Sequence, residues 1–195
     1  MKKYLDACPP YLGGKRKIAR DIMTVIQTDY GVAPGATIAD AFMGGAAVSV
    51  AAKALGYRVI GNDRGPIAVA TGKALVENRS DTISLAELTV AIEHEPISDL
   101  PDQKELSIPV ECRELLSRLV GYEREQDGMK RWLLRAWIGR TALSMSSWGI
   151  PTMGAGRREW DELTPGQATQ LLRTGKPLSM AVRAAEALNG GVFDN

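Results

Sequence analysis

Two glycine-bearing motifs and one isolated acid hold most of the chemistry open to this sequence. In Asp40-Ala41-Phe42-Met43-Gly44-Gly45 the paired glycines follow a short apolar run of β-formers, residues 37–42. Glycines at that point let the chain turn tightly after a strand and let its backbone approach a ligand closely. Asp63 closes the next such run, Arg58-Val59-Ile60-Gly61-Asn62-Asp63. A carboxylate ending a second strand can accept both hydroxyls of a ribose, so the two features together point to an adenosine-bearing ligand. No G-x-G-x-x-G and no GK[ST] run is present, which excludes the dinucleotide and P-loop fingerprints. The plain alternative is a tight turn with Asp63 capping the helix that follows.

Tyr11-Leu12-Gly13-Gly14-Lys15 is the second motif. Paired glycines at a helix start expose backbone N–H groups, and with Lys15 they would make an anion site suited to a carboxylate. The alternative is a glycine-rich helix cap with a solvated basic first turn. Lys15-Arg16-Lys17, Arg131, Arg135, Arg140 and Arg157-Arg158 are the cations able to meet phosphates. Any one of them reads first as part of a solvated helix face; Arg157-Arg158, in a glycine-rich loop, is the best placed. Trp148, among small loop residues, is the tryptophan to test for base stacking; Trp132, Trp137 and Trp160 read as core or interface residues. His94, at a polar helix end, reads as a bystander. Cys8 and Cys112 make neither a metal quartet nor a disulfide framework.

The elements that must position these groups form two patterns. With 195 residues, 45% hydrophobic and 24% charged, the chain suits one compact domain. Lys+Arg 24 against Asp+Glu 23 gives a net charge of +1, so a nucleic-acid partner would have to be met by local clusters. The N-terminus is not a signal peptide and no apolar stretch reaches ~20 residues, so no membrane span and a reducing, cytoplasmic setting are expected. A helix is expected soon after Gly13-Gly14, with Ile18, Ile22, Met23, Val25 and Ile26 on one face. Strand 37–42, glycine turn, buried helix 46–55, buried strand 58–63 and helix 66–77 make a βαβ unit with parallel strands. From residue 81 on, helices are expected over 84–95, 110–125, 129–145 and 177–188, and a shorter one after Thr164. The expected organisation is an α/β core over 1–80, a mostly helical insertion over 81–176 with a DNA-contacting loop at 146–158, and a return to the core over 177–195. Residues 190–195 read as the entry to a third strand. Two or three strands are few for an open parallel sheet, so the sheet reads as incomplete, to be completed by a partner chain or a C-terminal half.

In order and spacing, Y-L-G-G-K, D-A-F-M-G-G and G-Y-R-V-I-G-N-D resemble the opening motifs of the Dam-like (D12 class) DNA adenine-N6 methyltransferases. The resemblance implies a Rossmann-like fold, S-adenosylmethionine as cofactor, and double-stranded DNA as partner. It implies a cofactor site of Tyr11, Gly13, Gly14, Lys15, Asp40, Phe42, Gly44, Gly45 and Asp63, with Tyr11 and Lys15 near the methionine end and Asp63 on the ribose. It places Trp148, Arg157 and Arg158 beside the region that meets DNA. Ala46 stands where many relatives keep glycine or another small residue. The family's Asp/Asn-Pro-Pro-Tyr motif, which holds the amine of an adenine flipped from the duplex, is absent. Cys8-Pro9-Pro10-Tyr11 is similar but lacks the carboxylate or amide. The chain is therefore expected to hold the cofactor without turnover of its own. The other expectations are a non-catalytic S-adenosylmethionine-binding subunit that needs a partner, or a small-molecule methyltransferase on the same fold.

Overall fold

The computed structural model describes residues 1–11, 13–100, 108, 110–145 and 176–194. The chain divides into two units, Met1–Thr82 with Ala187–Asn195, and Ile83–Glu186.

The first unit is built around one parallel strand–helix–strand unit, as the alternation of apolar runs and glycine turns predicts. Strand β1 (Thr37–Asp40) pairs in parallel with β2 (Arg58–Gly61), with Thr37 opposite Arg58 and Asp40 opposite Gly61. Helices α1 (Lys2–Ala7), α2 (Ala19–Thr28) and α3 (Ala47–Ala54) precede and link them. Small residues let α3 pack closely: Ala47, Ser49, Val50, Ala51, Ala52 and Lys53 are all buried. Gly56, at φ +86°, turns the chain out of α3. Pro66 opens α4 (Pro66–Gly72) at a position where a missing N–H costs nothing.

Four expectations need correction. Helix α1 was not foreseen: Leu5 and Ala7 are buried beneath it, and Pro9-Pro10 stop it. The strand over 58–63 is shorter than expected and not buried. Ile60 is 62% exposed and its register neighbour Ala39 is exposed too, because α3 packs against both strands while Ala39 and Ile60 stay open to solvent. The helix over 66–77 changes type: Lys73–Glu77 is a π-helical turn, with Asn78 N–H donating to Lys73 O. Buried Lys53 reaches that turn from α3, its Nζ donating to Leu75 O at 3.2 Å and Asn78 O at 2.7 Å. Residues 190–194 form no strand. They turn off the last helix and Phe193 stacks on Tyr4, 4.1 Å between ring centroids, with Lys53 Nζ 4.6 Å from its centroid. Those ring contacts hold Phe193 in place of a strand ladder.

The second unit is helical, close to the expected positions: α5 (Leu85–Glu93), α6 (Val110–Arg124), α7 (Gly128–Met145) and most of α8 (Lys176–Asn189). Ser84 and Glu87 form a reciprocal capping box at the start of α5. Ile108, Cys112, Leu116 and Met145 form a buried cluster. Trp137 is fully buried and donates through Nε1 to Ala181 O at 2.8 Å, a core role, as its sequence context predicts. Gly121 lets α6 approach the end of α5: a Cβ there would lie 2.8 Å from His94 Nδ1. Cys8 and Cys112 are buried, and among the described residues neither is in a disulfide. Among the described residues no helix is long and apolar enough to cross a membrane. The expected loop 146–158 and the helix after Thr164 lie outside the described residues.

Candidate ligand-binding site

The site is a set of backbone turns tied together at the ends of the two strands. Asn62 N–H donates to Asp40 O at 2.9 Å, and its side-chain Nδ2 donates to Ala41 O at 3.0 Å. Met43 N–H donates back to Asn62 O at 3.0 Å. Gly44 N–H then donates to Asp63 Oδ2 at 2.8 Å, and Gly65 N–H donates to Asp63 Oδ1 at 2.9 Å. The backbone N–H groups of Gly65 and Gly44 hold the Asp63 carboxyl below its ordinary pKa, so it is ionised at neutral pH. The Arg64 N–H acts on the same carboxylate, and of its roughly four acceptor positions at least one is left to offer a ligand.

The glycines are required for a specific close approach. Gly44 has φ +53°. A Cβ there would sit 3.0 Å from Tyr11 Cε1, and one on Gly45 would sit 2.9 Å from Tyr11 Cβ and 3.3 Å from Pro9 O. The loop carrying Tyr11 therefore lies directly on the loop after β1. Ala46 follows at φ 61°, the left-handed region, and caps α3. An alanine at that φ carries strain that a glycine would avoid.

Tyr11, Gly13, Gly14, Lys15, Asp40, Phe42, Gly44 and Gly45 line one cleft of about 270 Å³, together with Pro9, Arg16 and Met43. Asp63 lines a neighbouring recess of about 560 Å³ with Met43, Gly61, Asn62 and Gly72, and is joined to the cleft through Gly44. Phe42 is 91% exposed at the cleft. Asp40 accepts from the buried Ser49 hydroxyl at 2.6 Å through Oδ2.

The turn at Gly13-Gly14 differs from the expectation of a helix start. Gly14 N–H donates to Tyr11 O at 2.8 Å, Gly13 takes φ +71°, and α2 begins only at Ala19. A closed β-turn uses the Gly14 N–H that a helix N-terminus would have offered an anion. Lys15 Nζ donates to Gly13 O at 2.8 Å and is exposed, while Arg16 reaches Cys8 O at 3.3 Å. Arg157, Arg158 and Trp148, expected to meet DNA, lie outside the described residues. Asn62 and Met43 were not singled out from sequence. Asn62 binds both strand ends, and Met43 fills space that side chains on Gly61 and Gly72 would otherwise occupy, with hypothetical Cβ atoms 2.7 Å from its Sδ and 2.4 Å from its Cε. The asparagine between the β2 glycine and Asp63 was the one visible hint. Among the described residues no group of His, Cys, Asp and Glu could hold a metal ion.

The site is thus a parallel strand–helix–strand unit with a glycine-rich turn after its first strand and an acid after its second. Residues 11–105 match the family model of D12 class N6 adenine-specific DNA methyltransferases. The resemblance read from the motifs is thereby borne out over this stretch. The chain is also similar to the Type II methyltransferase M2.HphI of Haemophilus parahaemolyticus, 32% identical over 108 residues. That alignment covers 54% of this chain and 31% of the relative, so the chain spans about a third of that protein's length. No solved structure matches the chain.

Proposed function

We propose that the cleft between the Tyr11 loop and the loop after β1 binds S-adenosylmethionine, and that the chain serves methyl transfer to adenine N6 in DNA. The fold would be Rossmann-like, with β1–α3–β2 as the part of its sheet seen here. The observation that carries this is the hydrogen bond from Gly44 N–H to the Asp63 carboxylate, which joins the glycine turn, the terminal acid and the Tyr11 loop in one place. The residues fit such a cofactor. Asp63 is ionised and keeps acceptor capacity for a hydroxyl, Phe42 offers an uncovered ring, and the glycines keep the backbone approachable. Tyr11, Lys15 and Arg16 surround the part of the cleft suited to a methionyl carboxylate.

When bound, S-adenosylmethionine supplies an electrophilic methyl on a sulfonium. This chain's part is to hold and orient the donor. The amine of adenine is a poor nucleophile and needs acceptors for its hydrogens together with close positioning. Asp40 is engaged by Ser49, and Asp63 by two backbone N–H groups, so neither is placed to serve that amine. Pro9 and Tyr11 of the Cys-Pro-Pro-Tyr string line the cofactor cleft and pack on Gly44 and Gly45. Calorimetry of the purified chain with S-adenosylmethionine tests the site: saturable binding is expected, and no heat of binding defeats the proposal. Methyl transfer from labelled donor to duplex DNA by these 195 residues alone is expected to be undetectable. Robust N6-methyladenine formation would show that an amine-binding group is already present.

A further inference from the structure

The second unit holds an arrangement of charge that the cofactor site does not use. Glu123, on α6, is a buried carboxylate whose side chain is 7% exposed. Its Oε1 accepts from Arg131 Nε at 2.7 Å and from Arg135 Nε at 2.7 Å. Both arginines stand on α7, one turn apart, and their side chains are 39% and 40% exposed. Like charges at that spacing repel on a free helix, so two of them side by side need a reason. Three other cations of these helices each have an acid of their own: Arg118 with Glu114, Arg124 with Asp99, Lys130 with Glu87. Here one carboxylate is shared by two guanidinium groups, which leaves a fixed excess of positive charge.

The bonding pattern also leaves the outer edges open. Each arginine uses its Nε inward, and among the described residues no hydrogen bond occupies the terminal Nη groups of either. Arg135 further lies over the Trp132 ring, its guanidinium carbon 5.0 Å from the centroid. Glu123 on one side and Trp132 on the other lower the entropy cost of presenting these groups. A planar guanidinium held by its Nε presents its remaining donors in the fork that matches phosphate oxygens.

We propose that Arg131 and Arg135, seated on Glu123, form a contact point for the phosphate backbone of duplex DNA. This rests on the reading of the chain as part of a DNA methyltransferase and names where the helical unit would meet that substrate. Such a contact positions the duplex and carries no base preference, so duplexes of unrelated sequence should bind alike through it.

Fluorescence anisotropy with a labelled duplex, titrated at several salt concentrations, tests it. Arg131→Gln and Arg135→Gln each leave Glu123 one arginine, so the buried charge stays paired. Each is expected to lower the slope of log affinity against log salt by about 0.9, and so to weaken binding about eightfold at 0.1 M salt. Lys2→Gln, which removes an equal charge from the exposed N-terminal helix, is expected to leave the slope within error. Thermal melting checks the fold. Should a glutamine variant melt early, Glu123→Gln keeps an acceptor oxygen for both arginines while removing the neutralising charge, and is expected to steepen the slope by about 0.9; an unchanged slope there overturns the proposal as well. Unchanged slopes in the arginine variants overturn the proposal, as does a parent protein that binds no duplex. Binding of S-adenosylmethionine, measured on the same samples, decides the cofactor reading separately.

Discussion

Replacing Asp63 by asparagine asks whether the strand-end acid is the tie that holds the site. The carboxylate accepts from Gly44 N–H and Gly65 N–H at 2.8 and 2.9 Å. The asparagine amide is nearly the same shape, but only its oxygen can accept. Its NH2 group would face one of the two donors. Hydrogen bonds to a charged group contribute about 1.5–3 kcal/mol when buried. Asp63 is half-buried, so water partly replaces what is lost, and about 2 kcal/mol in total is expected for the lost bond and the donor–donor clash. For a chain of this size that lowers the melting temperature by about 4–8 °C. The folded Asp63 has a lowered pKa, so its stabilisation is present above the unfolded value near 3.9 and is lost as the pH falls through the folded value. The gap between parent and variant should therefore be full at pH 7 and close on acidification. Calorimetry should show weaker S-adenosylmethionine binding by about 1–3 kcal/mol, from lost charge-assisted hydrogen bonds. A variant that melts with the parent at pH 7 and binds the cofactor equally would refute both roles given to Asp63.

Two further predictions concern the scaffold. Burial lowers the Lys53 pKa to about 8, with Arg79 adding to the shift. Below pH 8 both folded and unfolded chains carry this proton. Between about 8 and 10.5 the unfolded chain holds it more firmly, so stability rises with pH through that window, by about 3 kcal/mol for the full shift. Denaturant melts from pH 7 to 10.5 should show this slope in the parent and a flatter one in Lys53→Met; parallel curves would remove Lys53 as the source. Gly45→Ala places a Cβ 2.9 Å from Tyr11 Cβ and should cost about 1–3 kcal/mol by displacing the Tyr11 loop. Cofactor affinity should fall with it, and unaltered melting and affinity would show that the two loops separate at no cost.

The core elements were legible because their signals are local. Paired runs of β-formers, a glycine after each, and alanines between them specify a strand–helix–strand unit whatever surrounds it. The corrections fall where a distant residue decides. The π turn at Lys73–Glu77 is met by Lys53, 22 residues or more from the carbonyls it reaches, and no pattern within that turn announces this. Phe193 looked like a strand residue because an aromatic beside valine is what an apolar strand displays. Its position is set by Tyr4 and Lys53, both remote in sequence. Within the site, glycine spacing located the loops, while Asn62 and Met43 remained unmarked because asparagine and methionine serve many roles. The Gly13-Gly14 turn was misjudged for a related reason. Paired glycines mark a change of direction, and whether a helix follows at once depends on which carbonyl the second N–H meets.

The ties among the strand ends also explain how so small a sheet can hold a precise turn. A two-stranded sheet is marginal by itself, and parallel strands are usually covered on both faces. Here Ala39 and Ile60 stand open, so strand burial does little to fix the loops. Fixation comes instead from Asn62, which binds β1 and its loop through three hydrogen bonds, and from Asp63, which adds two more. Tyr11 presses on the loop from the side that the glycines leave open. A turn held in this way depends on backbone groups and two adjacent side chains of one strand end. The alanine at position 46, kept at positive φ, is tolerable under the same restraint, since a turn already determined from several sides can carry a strained residue that a free loop would relax.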